Sequence, residues 1–315
     1  VPIGTGKMIQ KIIDQHNHDN IEYDYCSNPE FLREGAAVRD FLHPDRIVLG
    51  TTSDKAFEYL KDVFRPLYIN ETPIVHTTVE TAEMIKYAAN AFLAIKLSYI
   101  NEVANLCDEI GADVHVVAKT LGTDGRISPK FLHPGPGFGG SCFPKDTKAL
   151  VEIAKKYNID MATVTAAIET NIFQRKRMLN KLNNLLDNDM KGKIIAVLGL
   201  AFKQETDDVR ESPAIEIITG IHDKGGIIKA YDPIANNSMR EIFPALDYKS
   251  NWNKAVEGSD AAVIMTEWNE FRSMDLEKLK NLMSQPVVLD TRNILNVSEL
   301  KRLEFKFDNV GHRVA

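Results

Sequence analysis

Between Thr78 and Ile110 the chain runs for more than thirty residues without a glycine or a proline, and Met84, Ala88, Phe92, Ile95, Tyr99, Val103, Leu106 and Ile110 follow one another at intervals of three or four. Only an α-helix brings residues of that period onto one face. At 1.5 Å per residue the helix spans about 50 Å, and Gly111 is its expected C′ stop. A helix of that length in mid-chain is more than a small domain needs. It is either a core helix buried on several faces or, as Lys86, Asn90 and Asn101 punctuating the apolar face favour, a connector between two domains.

On either side, short β-type runs alternate with helical ones. The first part reads as strands over 23–26, 46–49 and 73–76 with helices over 4–17 and 54–64. Further helices are expected over 113–120, 145–157 and 161–186, and then strands over 193–198, 227–231, 261–265 and 287–289 with a helix over 212–224. Such alternation makes a parallel sheet with helices on its faces. The segment around Gly199 imitates a dinucleotide fingerprint of strand, glycine turn, helix, strand and acid, with Asp232 as the acid. Ala201 and Phe202 stand where further glycines are required, so the imitation does not make an NAD site.

At 315 residues, 44% hydrophobic and 26% charged, the chain can fill two domain cores. A net charge of −6 gives nucleic acid no general attraction, and no apolar run approaches the ~18–20 residues that cross a bilayer. Cys26, Cys107 and Cys142 are widely spaced and odd in number, which fits reduced thiols in a cytoplasm better than a disulfide framework. His16 and His18 lie in a polar stretch without further ligands and read as a solvated loop; no metal is expected.

Residues 137–146, Gly-Phe-Gly-Gly-Ser-Cys-Phe-Pro-Lys-Asp, carry the chemistry. Pro134, Gly135 and Pro136 add to the glycines in excluding helix and strand, so Cys142 is presented on a loop with Lys145 and Asp146 just beyond it. A lone intracellular cysteine is usually a small buried hydrophobe. These neighbours favour a nucleophile instead.

Residues 122–148 as a whole resemble the active-site segment of the UDP-glucose 6-dehydrogenase family, within the wider UDP-glucose/GDP-mannose dehydrogenase group. Three more blocks resemble it in the same order. They are Ser-Asn-Pro-Glu-Phe-Leu-Arg-Glu-Gly at 27–35 with Pro-Asp-Arg-Ile-Val at 44–48, Glu-Met-Ile-Lys-Tyr-Ala-Ala-Asn-Ala-Phe at 83–92, and Gly-Leu-Ala-Phe-Lys at 199–203 with Thr206-Asp207-Asp208 and Arg210-Glu211-Ser212-Pro213. The resemblance implies an α/β protein of two Rossmann-like parallel-sheet domains joined by the long central helix. Residues 1–77 would be a remnant of the NAD-binding domain, 78–187 a central helical dimerisation domain with the catalytic loop, and 188–315 a UDP-binding domain. The family's opening strand, Gly-x-Gly-x-x-Gly turn and helix do not precede Val1. The expectation is therefore a chain that lacks the N-terminal part of its NAD-binding domain and is inactive as given.

The implied activity is NAD-dependent oxidation of a UDP-hexose alcohol to a carboxylate, in two hydride transfers and one hydrolysis. An aldehyde has no tetrahedral carbon from which a second hydride can leave; a thiolate provides one by adding to the carbonyl. Cys142 is the implied nucleophile, its thiolate favoured by Lys145 and the loop amides. Lys86 and Asn90, four apart on one helix face, are implied to hold the oxyanion. Asp146 is implied to hold a water or assist proton removal, and Glu30 to serve as base for thioester hydrolysis. Phe31, Leu32, Arg33, Glu34, His133, Gly137, Phe138, Gly139, Phe202, Lys203 and Arg292 would surround the UDP-sugar, with His133 where some relatives carry a lysine. Val1, Glu34, Lys145 and Arg210 would contact NAD, and Arg126 would reach across a homodimer. Ser141 before and Phe143 after Cys142 favour UDP-glucose, with another UDP-hexose as runner-up; a UDP-sugar-binding or dimerisation module without turnover is the alternative from another class.

Overall fold

The computed structural model describes residues 1–70 and 72–312. The chain divides into two compact units, one formed by residues 1–92 with 146–161 and the other by 93–145 with 162–315.

The first unit contains α1 (Thr5–His16), α2 (Ala37–Leu42), β1 (Ile47–Gly50), α3 (Asp54–Val63) and β2 (Ile74–Thr77). The strands are parallel, with Ile47 beside Ile74 and Gly50 beside Thr77. Ser53 caps α3, its Oγ accepting from Ala56 N at 3.1 Å. No strand forms over 23–26. There the chain makes only an isolated antiparallel bridge, Ser27 to Gly50, through a reciprocal pair of 2.8 Å backbone bonds. Of this run Tyr23 is exposed and Tyr25 and Cys26 are only partly buried, too little covered apolar surface to hold a ladder together.

Then follows α4 (Val79–Ile110), the long helix, with Thr78 Oγ1 accepting from Thr81 N at 3.3 Å at its start and Gly111 in the left-handed region at its end. The division between the units falls within it. Three helices follow, α5 (Val114–Thr123), α6 (Phe143–Lys156) and α7 (Ala162–Leu185).

The second unit is completed by β3 (Ile194–Leu198), α8 (Pro213–Asp223), β4 (Ile227–Tyr231), α9 (Asn236–Ile242), β5 (Asp247–Tyr248), α10 (Trp252–Val256), β6 (Ala261–Ile264), α11 (Asn269–Arg272), α12 (Leu276–Leu282), β7 (Val287–Asp290), α13 (Val297–Arg302) and β8 (Lys306–Asp308). These strands form one parallel sheet in the order β5-β4-β3-β6-β7-β8. That is the doubly wound order, whose direction reverses between β3 and β6.

Both faces of the sheet are buried. Ile195, Val197, Val263 and Leu289 point to one core with Met178 and Leu182 of α7 and Ile217, Ile218 and Ile221 of α8. Ala196, Leu198, Ile264 and Val288 point to the other with Trp252, Phe271 and Leu279. Strands covered on both faces read as continuous apolar runs, which is why β3, β4, β6 and β7 were visible in sequence. The short edge strands β5 and β8 lack that signal, and were not.

Candidate functional site

The expected site residues fall into two groups, one in each unit. In the first unit, α4 carries Glu83, Lys86 and Asn90 within two turns. Lys86 Nζ meets Glu30 Oε1 at 3.1 Å and lies 5.5 Å from the centre of the Phe31 ring, over which the Arg46 guanidinium also stacks at 3.9 Å. Asn90 donates through Nδ2 to Oδ2 of Asp146, in the first turn of α6, at 2.6 Å; both side chains are buried. Each expected oxyanion donor is thus held by one of the expected carboxylates. Leu32 N bonds Glu30 Oε2 at 2.7 Å, Arg33 forks onto Asp40, and Glu34 sits in the turn before α2.

Glu83, outside the expected site residues, is buried and accepts from Gly4 N at 2.6 Å and Gly6 N at 2.8 Å. A helix N-terminus is an anion site, and here the protein's own carboxylate fills it. The parallel β1–β2 pair with its helices fits one half of a dinucleotide-binding fold, but the start of α1 is not open to a pyrophosphate. Val1 is exposed.

In the second unit the glycine loop reaches Cys142, which stands in a turn directly before α6, half-buried, with Ser141 Oγ 3.6 Å from its Sγ. The loop's conformation is set by its neighbours. A Cβ on Gly139 would run into the Glu211 carbonyl, and one on Gly140 would lie 2.7 Å from the Phe202 ring. Gly140 N donates to Arg210 O at 2.9 Å. The glycines therefore serve a close fit between the loop and the segment after β3.

Three buried polar residues of α7 hold the loop from behind. Asn171 accepts from Phe138 N at 2.7 Å and donates to Phe138 O at 3.0 Å, Gln174 donates to Gly135 O at 2.8 Å, and Arg175 Nη2 donates to Phe138 O at 2.6 Å and Glu211 O at 2.9 Å. Asn101 of α4 accepts from Gly135 N at 2.8 Å. In sequence Asn171, Gln174 and Arg175 read as the solvated side of the helix over 161–186, and only their burial marks them out.

Phe202, Lys203 and Arg292 follow the carboxyl ends of β3 and β7, on either side of the place where the strand order reverses. In open α/β sheets ligands bind there. Arg292 donates to Phe202 O at 2.9 Å and Met265 O at 2.7 Å, pairs with Glu267 at 3.2 Å, and lies 3.6 Å from where a Cβ on Gly135 would be. Lys203 Nζ stands 5.2 Å from the Phe202 ring centre. Burial pushes the Asp290 carboxyl above the usual range against bonds from Arg292, Ile294 and Leu295 amides, which fix the turn that carries Arg292.

The glycine turn after β3 is closed to anions, because Asp232 Oδ2 already accepts from Leu200 N at 2.8 Å and Ala201 N at 3.2 Å. This is the physical reason that the imitation of a dinucleotide fingerprint is not one. Of the remaining expected residues, His133 is exposed, Arg210 forks onto Asp208, Lys145 lies in α6, and Arg126 projects with 89% of its side chain exposed while pairing with Asp124 at 2.6 Å.

Comparison with known proteins adds the family. The UDP-glucose/GDP-mannose dehydrogenase models match in three parts, the NAD binding domain over residues 1–68, the central domain over 80–172 and the UDP binding domain over 196–297. The first match begins at residue 1, so it lends no support to the expected lack of that domain's N-terminal part. A UDP-glucose 6-dehydrogenase of Rhizobium meliloti is 45% identical over 313 residues, covering 99% of this chain and 71% of the relative. The UDP-glucose 6-dehydrogenase TuaD of Bacillus subtilis is also 45% identical, over 99% of this chain and 67% of its own. A solved UDP-glucose dehydrogenase from Pyrobaculum islandicum superposes with a TM-score of 0.89 at 32% identity, covering 100% of this chain and 69% of that one. With three domain models in order and a fold shared with such a relative, the chain belongs to the UDP-glucose/GDP-mannose dehydrogenase family, whose cofactor is NAD.

Proposed function

We propose that the chain oxidises the C6 hydroxyl of UDP-glucose to the carboxylate of UDP-glucuronate, with Cys142 as the covalent nucleophile. The observation that supports this most is the glycine loop, fixed on one side to the segment bearing Phe202 and ending in Cys142 at the start of α6. The UDP moiety is assigned to Phe202, Lys203 and Arg292 at the reversal of the sheet, where two cations meet a diphosphate. Bound NAD accepts one hydride at each oxidation.

In this reading the alcohol loses its proton to Lys86 or to a water on Asp146 as the first hydride leaves. The Cys142 thiolate then adds to the aldehyde carbon, and Lys86 and Asn90 donate to the oxyanion of the thiohemiacetal. Loss of the second hydride and the hydroxyl proton leaves a thioester. Water, deprotonated by Glu30, displaces the thiol and frees the acid. For these steps Lys86 and Asn90 exchange Glu30 and Asp146 for substrate, so both pairs are resting arrangements.

We further assign a homodimer, built on α4. Phe92, Tyr99 and Leu106 repeat every seven residues along it and are 61%, 53% and 59% exposed, a seam that a second helix would cover. Arg126, projecting into solvent, is the residue assigned to a partner's site. The three free thiols support a cytoplasmic location. Among the described residues no helix is long and apolar enough to cross a membrane.

Cys142→Ser tests the reading. It is expected to stop production of the acid while UDP-glucose binding stays within several-fold, since a hydroxyl is a far weaker nucleophile than a thiolate. Near-normal formation of the acid would remove Cys142 from the mechanism.

A further inference from the structure

The loop that ends in Cys142 is held by Asn101, Asn171, Gln174 and Arg175, and of these Asn171 makes the two-sided contact. Asn171 grips both polar groups of Phe138, accepting from its N–H at 2.7 Å and donating to its C=O at 3.0 Å. The same amide explains Gly137. With φ at 108°, that residue lies so close to α7 that a Cβ would stand 2.7 Å from Asn171 Oδ1. Beside it Arg175 adds a second bond to Phe138 O, and Gln174 holds Gly135 from the next position on the helix face, itself fixed by Asn105 Nδ2 at 2.9 Å.

The hold extends to the cysteine by packing. The Phe138 ring, buried, meets Phe143 edge-on with ring centres 6.0 Å apart and planes at 90°, and Phe131 meets Phe143 from another side at 5.9 Å. Phe143 directly follows Cys142 and opens α6. The thiol is therefore bounded by one residue fixed through aromatic contact to Phe138 and, upstream, by Gly140, fixed to Arg210 O. Neither Asn171 nor its neighbours on α7 belong to the nucleophile, oxyanion or nucleotide assignments made above.

We propose that Asn171 is a positioning residue for the reaction, which sets the place of the Cys142 thiol by fixing the Phe138 peptide. The proposal rests on Cys142 as nucleophile. A misplaced attacking atom costs rate steeply, because the gain from pre-orientation is lost over displacements of about an ångström. Nucleotide binding, which depends on residues after β3 and β7, is left alone.

The test compares the full enzyme with Asn171→Ala and with the isosteric Asn171→Asp, which creates no cavity and removes the bond donated to Phe138 O. The expected result is a kcat at least fivefold lower in each folded variant, with the dissociation constant for UDP measured by calorimetry within twofold of the parent. Peptide-resolved alkylation with iodoacetamide serves as the fold check, since buried Cys107 in α4 stays protected unless the unit opens. If kcat changes by less than fivefold in the folded variants while Cys142→Ser abolishes acid production, the positioning role is refuted and the catalytic assignment stands. If Cys142→Ser itself keeps acid production, it is the underlying assignment that fails.

Discussion

Replacing Asp232 by alanine is the most demanding test of how the second unit is held together. Its carboxylate, almost wholly buried, accepts five N–H groups: Leu200 N, Ala201 N and Trp268 Nε1 (3.0 Å) on Oδ2, and Ile234 N (3.0 Å) and Ala235 N (2.9 Å) on Oδ1. Ile234 is exposed and water can replace its partner, but Leu200, Ala201, Ala235 and Trp268 are buried. Leaving a buried donor unmade costs about 1–3 kcal/mol. Taking the lower half of that range, about 1–2 kcal/mol, for four donors, Asp232→Ala should lose about 4–8 kcal/mol, a large part of the 5–15 kcal/mol that keeps a typical domain folded. Asp232→Asn keeps one acceptor oxygen and turns an amide N–H₂ toward the other donors, so about half the loss is expected. Urea unfolding followed by tryptophan fluorescence reads this unit alone, since the two tryptophans of the chain, Trp252 and Trp268, both lie in it. A loss under 1 kcal/mol for Asp232→Ala would refute the argument that the turn after β3 is built around this carboxylate.

Two further outcomes are expected. Lys203→Ala should weaken UDP and UDP-glucose alike by about 1.5–3 kcal/mol, the scale of a charged hydrogen bond, and unchanged UDP affinity in calorimetry would move the nucleotide away from the reversal of the sheet. Leu106→Glu, at an exposed position of α4, should turn a sedimenting dimer into monomers at micromolar concentration; an unaltered dimer would place the interface elsewhere.

The chain's local patterns determined most of its elements. A stretch free of glycine and proline with apolar residues every third or fourth position has one regular structure open to it, and α4 follows within a residue of the expected limits. The buried strands β3, β4, β6 and β7 announced themselves for a similar reason, as apolar runs bounded by turns. The glycine and proline content of residues 134–140 likewise fixed the loop character of the segment before Cys142. What needed tertiary structure was the fate of polar groups. Asn171, Gln174 and Arg175 look in sequence like the solvated side of a helix, and only the fold shows them buried with their bonds spent on the peptides of Gly135 and Phe138. Glu83 reads in sequence as one more polar position of a long helix and Asp232 as the acid that ends a dinucleotide fingerprint, yet each occupies backbone amides at a place where an anionic ligand would otherwise bind. Residues 23–26 have strand-forming composition and form no strand, because Tyr23 is exposed and Tyr25 and Cys26 are only partly buried. Periodicity is a property of neighbours along the chain, so a sequence displays it. A hydrogen bond between residues dozens of positions apart depends on which surfaces meet, and that is settled only when the chain has folded.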